Sequence, residues 1–321
     1  MSKVNQFYGI DISQDYFDVY DASGLYQQFK NDVIGFKEFL NLLPNDSHCV
    51  MEATGYYHYQ LAYFLIDHQI LVSVENPLKI KRFIQMQLSK VKTDKSDAKQ
   101  IYNYACKSQL VLWQGHGKLQ QENLQLCRLL TMYTKQSTQL KNKIHGESAL
   151  GNPSKSVTRS LKRQLKSLQK ELQFIETTLE ENVKQTHQQE LTLLKSIPGI
   201  GDKTALMLWV LTDGFSKFQT AQQLCSFAGI TPTIRESGSS VKGKPRISKM
   251  GNPKLRNLLF MCSFNACKYN KSCKALYDRI VAKGKSKKLA LIAVCNKLLK
   301  QAFAIIKNRI PYDDNYKSTL A

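Results

Sequence analysis

The chain has 321 residues, of which 42% are hydrophobic and 22% charged, and Lys and Arg outnumber Asp and Glu by 46 to 25. This composition is typical of a globular protein with more than one domain, and it excludes the disordered and fibrous classes. The apolar runs are short and the N-terminus lacks the pattern of a signal peptide, so we expect a cytoplasmic protein with no membrane partner. The eight cysteines are scattered, without the close pairs of zinc or redox sites.

The positive charge is concentrated near the C-terminus. Residues 231–321 contain 20 Lys and Arg but only four Asp and Glu, which accounts for most of the net charge of +21. A field of one sign attracts polyanions and speeds their encounter with the protein. A charge that serves only solubility would mix both signs. The sequence therefore predicts that the C-terminal part binds nucleic acid.

The first hundred residues alternate between strand-like and helix-like patterns. Three β-type runs come first, separated by polar or glycine-containing turns, and the helical and strand-like runs then alternate. This order predicts an α/β domain with a mixed sheet, an antiparallel hairpin set leading into right-handed crossovers, and helices on both faces. The strand-like runs are 7–12, 16–21, 26–31, 49–51 and 70–74, and the helical ones are 33–43 and 57–67.

Helical patterns dominate the rest of the chain. Residues 119–144 have helical spacing, Gly151 and Pro153 interrupt it, and a heptad of apolar residues then begins. We expect a helical hairpin or coiled coil here, either packed within one bundle or joining two chains, followed by a mainly helical C-terminal domain. The heptad consists of Leu161, Leu165, Leu168, Leu172, Ile175 and Leu179, and the expected domains are residues 1–117, 118–188 and 189–321.

Four acidic residues of the N-terminal part form a candidate metal site, the acidic tetrad of Asp11, Glu52, Asp94 and Asp97. Asp11 lies inside an apolar strand, where an ionised carboxylate is costly unless it meets a cation or solvent. Glu52 follows a short strand, at the edge where open α/β sheets bind ligands. Asp94 and Asp97 share one face at the start of a helix, although a helix cap is an alternative role for Asp94. Such oxygen donors can hold two Mg²⁺ or Mn²⁺ ions about 4 Å apart for phosphoryl transfer.

A Pro-Gly-Ile-Gly segment at residues 198–201 has the pattern of a helix-hairpin-helix turn. In such a turn, glycines let backbone N–H groups and a helix N-terminus approach a phosphate. We therefore expect Gly199, Gly201 and Lys203 to contact the backbone of a nucleic acid. The competing interpretation is a turn between helices in which Asp202 caps the second helix.

A polar loop rich in glycine and serine covers residues 236–251. A serine among cations could attack phosphorus while the cations stabilise the developing charge. On composition alone a phosphate-binding loop without catalysis is favoured, because Ser and Gly are ordinary turn residues. The loop cations that we expect to bind nucleic acid are Arg235, Lys242, Lys244, Arg246 and Lys249.

Taken together, these motifs resemble those of the insertion-sequence-110 family of DEDD transposases, which includes the pilin-gene invertases and the bridge-RNA-guided recombinases. The similarity extends from about residue 7 to about residue 290, with no departure at any motif position. The segments that carry it are Gly9–Asp11, Met51–Gly55, Lys92–Ala98, Phe227–Pro232 and Glu236–Gly243.

The resemblance implies an RNase H-like, RuvC-like first domain whose acidic tetrad binds Mg²⁺ or Mn²⁺, and a C-terminal transposase domain. It implies that Ser237 is a nucleophile that forms a phosphoserine link to DNA, with Ser239 and Ser240 as neighbouring candidates. The implied partners are donor and target duplex DNA, a guide RNA and further copies of the chain in a dimer of dimers.

Three alternatives stay open at this point. The first is a metal-dependent junction resolvase or nuclease that uses the acidic tetrad alone. The second is a site-specific DNA invertase that works without RNA. The third is a non-catalytic accessory protein that binds nucleic acid.

Overall fold

The computed structural model describes residues 6–53, 55–87, 93–233, 236–237, 241–242 and 246–315, with the main chain alone at 236–237 and 241–242. The chain forms two compact units, Met1–His116 and Gly117–Ala321.

The first unit contains a five-stranded mixed sheet of order β3-β2-β1-β4-β5. Strands β1, β2 and β3 form an antiparallel meander, whereas β4 lies parallel to both β1 and β5. The predicted mixed sheet is confirmed, as is the order of its elements along the chain. The strands are β1 (Gln6–Ile12), β2 (Tyr16–Tyr20), β3 (Tyr26–Lys30), β4 (Ser47–Glu52) and β5 (Leu71–Glu75), and the helices are α1 (Val33–Leu40), α2 (His58–Asp67), α3 (Pro77–Met86) and α4 (Asp94–Lys107).

Helices cover both faces of this sheet. In β4, Cys49 and Met51 join the aromatic core beneath α1 and α2, whereas Val50 packs with Ile101 on the side of α3 and α4. Successive strand residues point to opposite faces, so a strand buried on both sides is apolar at every position. Cys49, Val50 and Met51 of the buried run follow this rule, whereas the buried polar residues Ser47 and His48 form hydrogen bonds with the Pro44 carbonyl oxygen and with the Ser73 hydroxyl.

Helix α4 lies unusually close to β1. A Cβ atom at Gly9 would lie 2.3 Å from the backbone nitrogen of Tyr102 and 2.4 Å from the carbonyl oxygen of Ala98. Any residue other than glycine at this position would push the helix away from the strand. The face of β1 that carries Gly9 is therefore the face on which α4 rests.

The second unit is mostly helical. The long helices α5 and α6 pack against each other, and the base of this helical hairpin shares one hydrophobic core with the C-terminal helices through residues such as Cys127, Ile175 and Leu179. Farther out, the heptad positions Leu161, Leu165 and Leu168 are only half-buried. The helices are α5 (Lys118–Ala149), α6 (Lys155–Lys195), α7 (Asp202–Thr212), α8 (Ala221–Ala228), α9 (Pro253–Tyr269), α10 (Lys271–Ala282) and α11 (Lys287–Asn308).

Among the described residues, α11 alone is long and apolar enough to cross a membrane by length and composition. The expectation that every apolar run is short did not anticipate this helix. One of its faces, with Val294, Leu298 and Ala302, is completely buried in the core of the second unit. A helix that contributes a wide face to the core of a large domain can therefore match a membrane span in length and composition.

We predict that Gly9→Ala destabilises the first unit by about 1–3 kcal/mol, because the added methyl group meets helix backbone that cannot move independently. The measurement is urea denaturation followed by the fluorescence of Trp113 in a Trp209→Phe background, which removes the only other tryptophan. The control is Gly146→Ala, where the new methyl group meets no atom within 4 Å. Equal stability of the two variants would show that the close approach of α4 is not a constraint.

Candidate functional site

Three members of the acidic tetrad lie where the start of α4 covers the sheet. Asp11 follows Gly9 by two positions in β1 and therefore shares its face. Glu52 follows Met51, which pairs with Ile10, so Glu52 and Asp11 end two adjacent parallel strands. Asp97 lies on the first turns of α4, one residue before the Ala98 carbonyl that approaches Gly9. The close packing of α4 on β1 thus brings Asp97 to Asp11.

Asp11 carries the electrostatic cost of this arrangement. Burial, followed by the negative charges of Asp97, Glu52 and Asp18, raises the pKa of Asp11 to about 6 from its ordinary value of 3.8. A carboxylate that is both desolvated and surrounded by like charges holds a proton or a cation more readily than an isolated one. The site is therefore built to accept positive charge.

Asp94 differs from the other three members of the acidic tetrad. It is exposed. Its negative charge is the smallest of the causes that raise the pKa of Tyr26 to about 12, after the hydrogen bond to Asp18, burial and the charge of Asp18. The cap of α4 is Thr93, whose side chain accepts a hydrogen bond from the backbone of Ser96, so capping is not the role of Asp94. Within the described part of the chain, no group of three or more His, Cys, Asp or Glu side chains stands ready-made to hold a metal ion.

A further carboxylate, Asp18, lies on the same face and was not singled out in the sequence. It is the direct cross-strand partner of Asp11 and is only 4% exposed. The signal was present, because Phe17 and Val19 are the apolar positions of β2 and leave Asp18 on the opposite face. With Ser13, Gln14 and Asp15 as the turn, the pairing of Asp18 with Asp11 follows from the hairpin register.

The predicted phosphate-binding turn between α6 and α7 has a clear packing role. Gly199 has a φ of +107°, and a Cβ atom there would lie 2.8 Å from the Cβ of Ala266 in α9. Lys203 forms an ion pair with Glu176, and Asp202 pairs with Lys195 at 2.9 Å. The residue at the cap position of α7 is Gly201, not Asp202, and a Cβ atom at Gly201 would have no neighbour within 4 Å.

The loop that carries Ser237, between Pro232 and Ile247, contains two short pairs of strands, one inside the other along the chain. The outer pair joins β6 (Pro232–Thr233) to β9 (Arg246–Ile247), and the inner pair joins β7 (Glu236–Ser237) to β8 (Val241–Lys242), with Ser237 opposite Val241. Arg246 and Lys249 are exposed. The other predicted site residues of this loop lie outside the described residues, either entirely (Arg235, Ser239, Ser240 and Lys244) or in their side chains (Ser237 and Lys242).

The base of this loop is fixed to the helical core. The backbone nitrogen of Ser248 donates to the carbonyl oxygen of Thr231 at 3.0 Å, and that of Asn252 donates to the carbonyl oxygen of Phe227 at 2.7 Å. Arg256 of α9 donates from Nη1 to the carbonyl oxygen of Ala228 at 3.0 Å. The ends of the loop that carries Ser237 are therefore held by rigid helices.

A groove of about 1950 Å³ adjoins the loop base, lined by side chains of α8, α10 and α11. Its floor is largely apolar, with Ile230 and Ile292 as examples. Among the described residues, the cations that line it are Arg246, Lys249, Lys288, Lys297 and Lys300. Sequence reasoning missed the three lysines of α11, although the spacing of Lys297 and Lys300 places both on one helix face.

In the metal-free protein, we predict that Asp11→Asn raises stability above neutral pH by about 1–2 kcal/mol after allowance for solvent screening. The pKa of Asp11 is raised by folding, so wild-type stability falls as pH rises from 3.8 through about 6 and then levels. The amide variant lacks this loss. Denaturation with a metal chelator across pH 4–8 measures the difference, and parallel curves for both proteins would contradict it.

Comparisons with known proteins agree with the motifs. The model of the IS110-type DEDD transposase domain matches residues 8–147, and that of the transposase IS116/IS110/IS902 family matches residues 191–278. The pilin gene-inverting proteins of Moraxella bovis and Moraxella lacunata are each 33% identical to this chain, over 98% of it and 98% of their own length.

A more distant relative points the same way. The transposase for insertion sequence element IS1111A of Coxiella burnetii is 24% identical over 82% of this chain and 78% of its own. The two domain matches and the full-length similarity at 33% identity agree on one group of DNA recombinases. This chain therefore belongs to the IS110 family of transposases.

Proposed function

We propose that this recombinase cuts and rejoins DNA through a phosphoserine at Ser237, assisted by divalent metal at the acidic tetrad, in moving an insertion sequence. The observation that carries the proposal is the convergence of Asp97 and Glu52 on the desolvated Asp11. A partly buried carboxylate on which two further negative charges act is costly without a cation. The sheet order β3-β2-β1-β4-β5 supports an RNase H-like fold for the first unit.

The donor set fits Mg²⁺ or Mn²⁺. All its members are carboxylate oxygens, the ligands that these hard cations prefer. Asp11, Glu52 and Asp97 would hold the ion, and Asp94, on the same helix as Asp97, would complete the set. When bound, the ion supplies a positive charge that polarises a phosphoryl oxygen. The pKa of Asp11 is raised to about 6. Below that pH, the Asp11 carboxyl group must therefore release its proton before the metal can bind.

The proposed covalent step at Ser237 conserves the number of phosphodiester bonds. The serine oxygen forms a bond to phosphorus and loses its proton, while the bond from phosphorus to the 3′ oxygen breaks and that oxygen leaves as a hydroxyl. A 3′ hydroxyl from another strand then attacks the phosphoserine and releases the serine. The hydrogen bonds that fix the base of the loop support this role, because a nucleophile must be held in place to react efficiently.

The proposed partners are donor and target DNA together with a guide RNA. The 20 Lys and Arg of residues 231–321 provide charge for several phosphate backbones. A guide that pairs with DNA would account for a positive surface without a recognisable base-reading module. We further propose that copies of the chain assemble as a dimer of dimers through the α5–α6 hairpin, whose outer heptad positions are only half-buried.

A second candidate is site-specific DNA inversion without RNA. The relatives that match over almost the full length are named pilin gene-inverting proteins. Inversion and transposition share strand cutting and rejoining, so both use the same chemistry at Ser237 and differ in how the two DNA sites are chosen.

We predict that Ser237→Ala abolishes the covalent protein–DNA species and strand joining, while leaving DNA binding within about twofold, because only the nucleophile is removed. The assay incubates purified protein with end-labelled substrate and Mg²⁺ and resolves the products on a denaturing gel. Ser239→Ala and Ser240→Ala are the matched controls and should retain the species.

Asp11→Asn should lower joining by at least about a hundredfold in the same assay, because it removes a charge from the proposed metal site. If Ser237→Ala still cuts and joins DNA while Asp11→Asn does not, the protein is a metal-dependent nuclease or resolvase. If neither substitution affects a covalent product, the proposed chemistry is wrong.

We also predict that ribonuclease treatment of the purified active complex abolishes recombination, and that RNA transcribed from the flanks of the coding region restores it. Heat-inactivated ribonuclease is the control. Recombination that persists after complete digestion of RNA would favour the inversion candidate, in which the protein itself selects the sites.

A further inference from the structure

Asp18 is a buried carboxylate whose hydrogen bonds do not require its charge. Its Oδ1 atom accepts hydrogen bonds from the Tyr26 hydroxyl at 2.5 Å and from the Gln28 amide at 3.0 Å. Both partners are neutral donors, and a neutral amide oxygen would accept the same two bonds. These two hydrogen bonds therefore do not explain why position 18 carries a charged side chain.

No lysine or arginine of the described residues forms an ion pair with Asp18. Two cations of α4 lie over aromatic rings of the neighbouring strands, with the Lys95 ammonium 5.5 Å from the Tyr26 ring centre and the Lys99 ammonium 5.7 Å from that of Tyr20. Burying a carboxylate without a paired cation is costly. Its charge must therefore be offset in another way or serve a purpose.

The position of Asp18 suggests what offsets the charge. Directly opposite residues of an antiparallel pair have side chains about 5 Å apart, and like charges there repel. Asp18 lies opposite Asp11, and its negative charge is one of those that raise the pKa of Asp11. The two carboxylates disfavour each other in the metal-free protein and would both be stabilised by one cation.

We propose that Asp18 is a positioning residue for the divalent cation, whose fixed negative charge beside Asp11 strengthens the binding of that cation. The proposal rests on the proposed metal site. Tyr26 and Gln28 hold the Asp18 side chain in place, and Asp11 is the group through which it acts. Asp18 itself need not contact the metal, because a buried charge acts over several ångströms where little water screens it.

The first test is the affinity of the full-length protein for Mn²⁺, measured from the electron paramagnetic resonance signal of the free ion. We expect Asp18→Asn to weaken Mn²⁺ binding about tenfold, because the substitution removes the charge and keeps the shape. Asp15→Asn is the matched control, since Asp15 is exposed in the β1–β2 turn, and it should change the affinity less than twofold. The Mg²⁺ concentration for half-maximal DNA joining should rise in parallel with the Mn²⁺ dissociation constant.

A second variant keeps Asp18 and adds a positive charge beside it that offsets its negative charge. This variant tests the inference even if Asp18→Asn does not fold. Gln28 is exposed and already contacts Asp18, so Gln28→Lys would place an ammonium group beside the carboxylate. We expect the same direction of change, about threefold to tenfold weaker Mn²⁺ binding. Gln27→Lys adds the same charge to the opposite face of β3 and should have less than half this effect.

The outcomes separate this inference from the proposed metal site. If the wild-type protein does not bind Mn²⁺, or if Asp11→Asn binds it equally well, the metal site itself is wrong. If wild-type protein binds Mn²⁺ and Asp11→Asn does not, while Gln28→Lys and a folded Asp18→Asn have unchanged affinity, the role of Asp18 is overturned.

Discussion

The contact between the backbone of α4 and Gly9 of β1 is the constraint on which the first unit depends. It removes the space that a side chain would occupy and places the start of α4 beside the end of the central strand. Two carboxylates separated by 86 positions in the chain, Asp11 and Asp97, thereby become neighbours. Without this close approach, the first turns of α4 would lie farther from β1, and water would screen the repulsion between Asp11 and Asp97.

The same contact determines the electrostatic character of the site. Burial and then the negative charges of Asp97, Glu52 and Asp18 act on Asp11 and raise its pKa to about 6. Neutral hydrogen-bond donors stabilise Asp18. Asp11, by contrast, is stabilised when it binds a proton or a cation, because burial and like charges disfavour its ionised form. Strongly perturbed carboxyl groups of this kind are common at functional sites, and the proposed metal ion would offset the repulsion around Asp11.

In the second unit, the main structural feature near the predicted nucleophile is the attachment of a short loop to a helical core. The loop that carries Ser237 begins and ends beside Gly229 and Gly251, both with positive φ, and Arg256 binds carbonyl groups at its base. A Cβ atom at Gly251 would lie 2.3 Å from the carbonyl oxygen of Phe227. These glycines are therefore positions of close packing, and the same holds for Gly199 in the turn that was predicted to bind phosphate.

The sequence by itself determined the order of strands and helices, the face of each strand residue and the concentration of positive charge near the C-terminus, because these follow from local periodicity and composition. It also placed Asp11, Glu52 and Asp97 at strand ends and a helix start. The hairpin register also pairs Asp18 with Asp11, but only the tertiary structure decided that Asp18 is buried there and that the charge of Asp94 acts on Tyr26. Periodicity fixes the direction of a side chain within its own element, whereas the distance between elements far apart in the chain is set by how their surfaces pack.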